Sequence, residues 1–181
     1  MKKLLVFLAE GFEELEALTI VDYFRRAGGE AVLAAVGPEL LVRSSHDVKV
    51  QADASLRKLD PNDFDAIYIP GGLPGATHLA GDPQVRAWVS QFNSEEKLIA
   101  AICAGPAVLD RLNLLKAGQF TCYPGFEDHL ETEGRVDEAL VKDGHIWTAM
   151  GPRYASHLAF AMVEELLGRE ALRELEEGLL Y

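Results

Sequence analysis

The sequence predicts an α/β fold: a mostly parallel sheet with helices covering both faces. Two observations carry this. Short apolar runs alternate with amphipathic stretches along the whole chain, the pattern of strand–helix–strand units. The apolar runs are also continuous, as in strands buried on both faces. No linker, low-complexity tract or repeat interrupts the alternation, so the 181 residues read as a single domain over 1–181. With 49% hydrophobic and 25% charged residues, a chain of this length buries enough surface to fold without a disulfide or metal.

The elements follow in order. Leu4 to Ala9 is the first strand. Ala17, Ile20, Val21, Phe24 and Ala27 then mark one face of a helix that Gly28-Gly29 closes. Ala31 to Val36 is the second strand, and residues 40–60 form a β-rich excursion around Leu40-Leu41-Val42 and Val48-Lys49-Val50. Asp65 to Ile69 is a core strand that ends at Pro70-Gly71-Gly72. Asp82-Pro83 supplies an N-cap and first-turn proline for a helix to about Asn93. Lys97 to Ile102 is the next strand, and Gly105-Pro106 leads into a helix to about Asn113. Gln119 to Cys122 reads as strand, and the acidic stretch after Pro124 as part helix. Residues 139–148 form a hairpin turning at Asp143-Gly144. Ala155, Leu158, Ala159, Met162 and Leu166 give the last strong helix, followed by a short acidic one. Its stripe Leu172, Leu175 and Leu179 either caps the core or joins an interface.

Composition narrows function. Seventeen Lys and Arg against 29 Asp and Glu give a net charge of −12, which argues against nucleic acid or an anionic membrane surface as partner. The first apolar run is too short for a secretory signal and no run approaches the ~20 residues of a membrane span, so a cytoplasmic protein is expected. Cys103 and Cys122 make no CxxC and no Cys/His cluster, which leaves a reactive thiol as the cysteine chemistry to consider.

In a parallel sheet, active sites lie beyond the C-terminal strand ends, which selects the loops at 10–16, 70–76, 103–106 and 123–128. In Ala100-Ala101-Ile102-Cys103-Ala104-Gly105-Pro106 a buried strand runs into a cysteine and then a helix start, the arrangement of a nucleophile elbow with Cys in place of Ser. Small neighbours and a helix N-terminus there favour thiolate, so Cys103 is expected to titrate below the ~8.5 of a free thiol. The alternative is a buried structural cysteine. Gly71 and Gly72 allow close backbone approach, so that a Gly72 N–H joins that of Ala104 in an oxyanion hole; otherwise the segment is a tight turn. Glu13 and Glu14 read as solvated partners of a helix dipole. Glu16 differs if it points over the sheet, where its raised pKa would let it donate to a thiolate.

Four segments together resemble the ThiJ/PfpI superfamily: Ala9-Glu10-Gly11-Phe12-Glu13-Glu14-Leu15-Glu16, Ile69-Pro70-Gly71-Gly72-Leu73-Pro74-Gly75-Ala76, the Cys103 segment, and Gly151-Pro152 before the long helix. The resemblance implies a flavodoxin-like three-layer sandwich, a homodimer, Cys103 as nucleophile, Glu16 as the protonated glutamate beside it, and Gly72 and Ala104 as backbone donors. It implies no metal and no organic cofactor. Two departures stand out. Tyr123 occupies the position of the family's active-site histidine, and His46 that of an anion-binding arginine in some relatives. His46 is either a ligand contact or base, or an exposed loop histidine, the favoured reading. Cys122 is a second oxidisable thiol or a packed residue. The reading that results is a cysteine enzyme acting on a small aldehyde, such as a reactive dicarbonyl, or on a glycated protein. A redox sensor or holdase chaperone switched by Cys103 is the first alternative and a cysteine amidase or peptidase the second.

Overall fold

The computed structural model describes residues 1–181. Its strands are β1 (Lys3–Leu8), β2 (Glu30–Ala35), β3 (Leu41–Arg43), β4 (Lys49–Gln51), β5 (Ala54–Ser55), β6 (Ala66–Ile69), β7 (Leu98–Ile102), β8 (Leu140–Asp143) and β9 (Ile146–Ala149). Its helices are α1 (Glu14–Arg26), α2 (Gly75–Gly81), α3 (Pro83–Ser94), α4 (Pro106–Asp110), α5 (Ala155–Leu167) and α6 (Arg169–Leu179). Seven strands form one sheet in the order β5-β2-β1-β6-β7-β9-β8, parallel except for β8 at one edge. β3 and β4 make a separate antiparallel hairpin.

Side-chain alternation divides the core into two layers. Leu4, Val6 and Leu8 of β1, with Tyr68, Ala100 and Ile102, face α1, α5 and α6. Leu5 and Phe7, with Ile67, Ile69, Ile99 and Ala101, face α2, α3 and α4. Because both faces are covered, each central strand needs apolar residues at every position, which is why these runs do not alternate. The result is a flavodoxin-like three-layer sandwich. Asp82 caps α3 as expected, its carboxylate accepting from Gln84 and Val85 N–H at 2.8 and 3.0 Å. No helix is long and apolar enough to cross a membrane.

Three local expectations fail. Gln119–Cys122 is not a strand: β8 already occupies the free edge of β9, and Thr121 N–H donates instead to the Thr148 hydroxyl at 2.9 Å. α4 stops at Asp110, whose carboxylate turns away to accept from Glu131 and Thr132 N–H. α2 begins at Gly75 inside the segment read as loop, since Pro and Gly offer no helix signal and packing against α4 supplies the order. The α6 stripe lies on the core, with Leu175 buried and Leu172 and Leu179 packed against it.

Candidate functional site

β1 is followed outward by β2 and β5, whereas β6, β7 and β9 build the other half of the sheet. The strand order therefore reverses between β1 and β6, and in open α/β sheets ligands bind outside the C-terminal strand ends at such a point. The loops after β1, β6 and β7 meet there. The β3–β4 hairpin braces the first of them, with Gly11 N–H donating to Arg43 O and Ser45 N–H to Phe12 O, both at 2.8 Å.

Cys103 directly follows β7 with φ of 62°, a left-handed conformation that a non-glycine residue holds only when its surroundings impose it. Its backbone is fixed on both sides: its N–H donates to Ala149 O at 3.0 Å and its carbonyl accepts from Tyr123 N–H at 3.1 Å. The side chain is half-buried, and the Ala104 and Gly72 N–H groups direct hydrogen bonds to it. Gly72 has φ of +86°, and a Cβ there would come within 2.6 Å of Gly11 O. Only glycine brings this N–H to the sulfur.

Glu16, wholly buried in the first turn of α1, is the carboxyl of the site. Its Oε2 accepts from Gly71 N–H at 2.7 Å, so that N–H serves the carboxyl rather than the sulfur. The close fit explains the glycine: a Cβ on Gly71 would lie 2.7 Å from both Cys103 Cβ and Glu16 Oε2. From beneath, the Tyr68 hydroxyl donates to the Glu16 carbonyl at 2.9 Å. Burial pushes the Glu16 carboxyl up to about 8, with Glu13 adding repulsion and the Gly71 N–H opposing the rise. Glu16 is therefore protonated at neutral pH. Its Oε1 meets no donor, and a proton on that atom turns an orphan acceptor into a donor beside the Cys103 sulfur.

The expectation of a lowered thiol pKa is corrected. Burial pushes the Cys103 thiol up, the Glu16 charge pushes it further, and the two backbone donors do not reverse the direction. Cys103 and Glu16 are close enough for their titrations to be coupled, and the pair loses its first proton near the Glu16 value of about 8.

Glu13 is also corrected. It is buried, caps α1 by accepting from Glu16 N–H at 2.7 Å, and is raised by that burial. Glu14 is not freely solvated either: its side chain is largely buried, one oxygen pairs with His46 Nδ1 at 2.9 Å and Oε2 is buried without a partner. Burial works against its charge, but hydrogen bonds from its own backbone, His46 and Ser44 hold the carboxyl below the ordinary range. His46 is exposed in the β3–β4 hairpin, as favoured; its Nδ1 faces Glu14 and Ser45, and its backbone N–H donates to the Ser44 hydroxyl. Glu13, Glu14 and His46 place ligand atoms within 4.8 Å of one another, close enough to hold a cation, although the helix start already engages one Glu13 oxygen and His46 one Glu14 oxygen.

Tyr123 is half-exposed beside Cys103, its ring against Gly151. Cys122 points the other way, fully buried among Phe120, Ile99 and Val108, where burial pushes its thiol up to about 11. Sequence reasoning missed Glu13 as a buried cap and Tyr68 as the prop under Glu16. The available signal for Tyr68 was a phenol in an otherwise aliphatic core strand, since a buried hydroxyl needs a partner.

The DJ-1/PfpI family model matches residues 2–165. Protein dj-1beta of Drosophila melanogaster is 35% identical over 181 residues, covering 99% of this chain and 97% of the relative. The Parkinson disease protein 7 homolog of Danio rerio is 35% identical over 185 residues, with coverage of 99% and 97%. Among solved structures, oxidized Toxoplasma gondii DJ-1 superposes with a TM-score of 0.92 at 37% identity, covering 100% of this chain and 99% of that one. Drosophila melanogaster DJ-1beta gives 0.93 at 36% identity, with coverage of 99% and 97%.

Proposed function

The chain belongs to the DJ-1/PfpI family, and from that premise we propose a cofactor-independent cysteine enzyme that converts reactive dicarbonyls, or their early adducts on proteins, to hydroxy acids. One observation carries the reading: a half-buried cysteine receives two backbone N–H groups beside a carboxyl that exchanges its proton near 8. The reacting form is the pair after loss of one proton, in which the Glu16 carboxylate takes the thiol proton as the sulfur attacks. The sulfur adds to the aldehyde carbon, and the carbonyl electron pair moves onto oxygen. Gly72 and Ala104 N–H hold that oxyanion, which takes the Glu16 proton to leave a hemithioacetal. The Glu16 carboxylate then removes the hydrogen of the former aldehyde carbon to give an enediolate, the proton of the hemithioacetal hydroxyl passes to the neighbouring oxygen, and Glu16 returns the hydrogen to the neighbouring carbon, giving a thioester. Water cleaves the thioester and restores the pair. Methylglyoxal plus water balances to lactic acid, with no external oxidant or reductant. The proposed setting is a cytoplasmic homodimer whose partner is the small aldehyde or glycated protein, not nucleic acid or membrane. The test is methylglyoxal conversion to lactate: activity in the wild type that Cys103→Ser abolishes supports the assignment, and an inactive wild type refutes it.

A second reading is favoured by the orphan Oε1 of Glu16. Once protonated, that atom can donate to an oxygen on sulfur, which fits a sensor or chaperone switched by Cys103 oxidation. A peptidase or amidase is the weaker alternative, because Glu16, Ala104 and Gly72 surround the Cys103 sulfur without an imidazole to protonate a leaving amine, and the corresponding position holds Tyr123.

A further inference from the structure

A groove of about 380 Å³ is lined by Tyr123, Met150, Gly151, Arg153 and Tyr154 among others. It begins next to the two backbones that hold the cysteine: Tyr123, whose N–H bonds the Cys103 carbonyl, and Ala149, whose carbonyl accepts the Cys103 N–H and which precedes Met150-Gly151. We propose that this groove is the subsite for the far arm of the dicarbonyl substrate and that Arg153 selects an arm ending in a carboxylate. The inference rests on the enzymatic reading above and adds the class of substrate.

The two sides of Cys103 differ in room and in charge. On the β6 side, Gly71 and Gly72 pack against the Glu16 carboxyl and the 11–13 backbone, leaving no space for even one added carbon at either glycine. That side also carries Glu13, Glu14 and Glu16, which repel an anion whenever they are charged. The Tyr123 side is open. Arg153 is the one charged residue lining it, and its guanidinium lies 5.7 Å from the Tyr154 ring centre with no ion pair or hydrogen bond. An unpaired cation in a chain of net charge −12 is placed to receive an anion. The Tyr123 and Tyr154 rings flank the path with apolar surface suited to the carbons between the reacting aldehyde and that anion.

Three aldehydes test the proposal: methylglyoxal, 2-oxohexanal with a longer neutral arm, and 4,5-dioxopentanoate with a longer anionic arm. The last takes up water in the same balanced reaction to give 2-hydroxyglutarate. The expected result is kcat/KM for 4,5-dioxopentanoate roughly fivefold above that for 2-oxohexanal, the scale of a solvent-exposed ion pair. That ratio falls to about one in Arg153→Gln and returns in Arg153→Lys. A ratio near one in the wild type, or one that survives Arg153→Gln, overturns the proposal. If no aldehyde is turned over, the enzymatic reading falls, and alkylation of Cys103 by iodoacetamide then decides the subsite separately. Slowing by 4-oxopentanoate but not by 2-hexanone, lost in Arg153→Gln, supports an anion subsite; equal slowing by both, or none, removes it.

Discussion

Glu16→Gln separates the stability of the fold from the work of the site. The carboxyl sits at about 8 in the folded protein against 4.5 in the unfolded chain, so between those values the folded state binds the extra proton. The sign follows: stability is greatest below about 4.5 and declines as pH rises toward about 8, where the buried charge must form. At about 1.4 kcal/mol for each tenfold in proton affinity, the buried acid costs the fold roughly 3 kcal/mol at pH 7 and up to ~5 kcal/mol above pH 8. Glutamine has the same shape, keeps an oxygen for the Gly71 N–H and never ionises. The variant should match the wild type near pH 4.5 and exceed it by a margin that grows with pH and levels off above 8. Urea unfolding of both proteins at half-unit pH intervals, read with m-values to confirm two-state behaviour, measures that margin. Dicarbonyl turnover should fall to background in the same variant, since the amide cannot move a proton between carbons. A margin that does not change with pH, or a variant less stable at every pH, would refute the burial argument for Glu16.

Three further outcomes are expected. Gly72→Ala places a Cβ within 2.6 Å of Gly11 O at a φ of +86°, so it should lower unfolding free energy by ~2–4 kcal/mol and abolish turnover, as denaturant titration and the lactate assay would show. Mild peroxide should convert Cys103 to sulfinate before it reaches Cys122, because Cys122 is fully buried whereas Cys103 is partly exposed; mass spectrometry over time gives the order. Tyr123→His should raise kcat/KM for methylglyoxal, by no more than the low end of the ~10²–10⁴-fold that general acid–base help supplies, while Tyr123→Phe measures the effect of the hydroxyl alone.

The sheet was legible because burial on both faces leaves a local mark, an unbroken apolar run, in each of β1, β2, β6 and β7. Gln119–Cys122, where Phe120 and Cys122 alternate with polar residues, reads as strand without being one. Phe120, Thr121 and Cys122 are buried by contacts far along the chain, and whether a strand edge remains open beside β9 is decided by β8, which begins only at Leu140. α2 was invisible for the opposite reason: its glycine and proline carry no helix preference, and the helix exists through packing against α4. Local propensity reports what a segment prefers alone, and these two segments are decided elsewhere.

The site shows the same division between identity and energetics. Cys103, Gly72 and Ala104 could be picked out because their chemistry needs a particular neighbour in the chain. The pKa direction of Cys103 could not, since it depends on how deeply loops from β1 and β6 bury the sulfur. Yet one signal for Glu13 was already present. The buried stripe of α1 runs through Ala17, Ile20, Val21 and Phe24, and extending it back one turn reaches Glu13 and Glu16. The structure follows that extension against composition: Glu16 is fully buried while the adjacent Leu15 is 60% exposed. A helix that buries an acid and exposes a leucine beside it has given up stability at that turn, and a pattern violated at one turn alone marks where function outweighs folding. The pH-dependent margin of Glu16→Gln is the measure of that loss, and the protonated carboxyl beside Cys103 is what the loss provides.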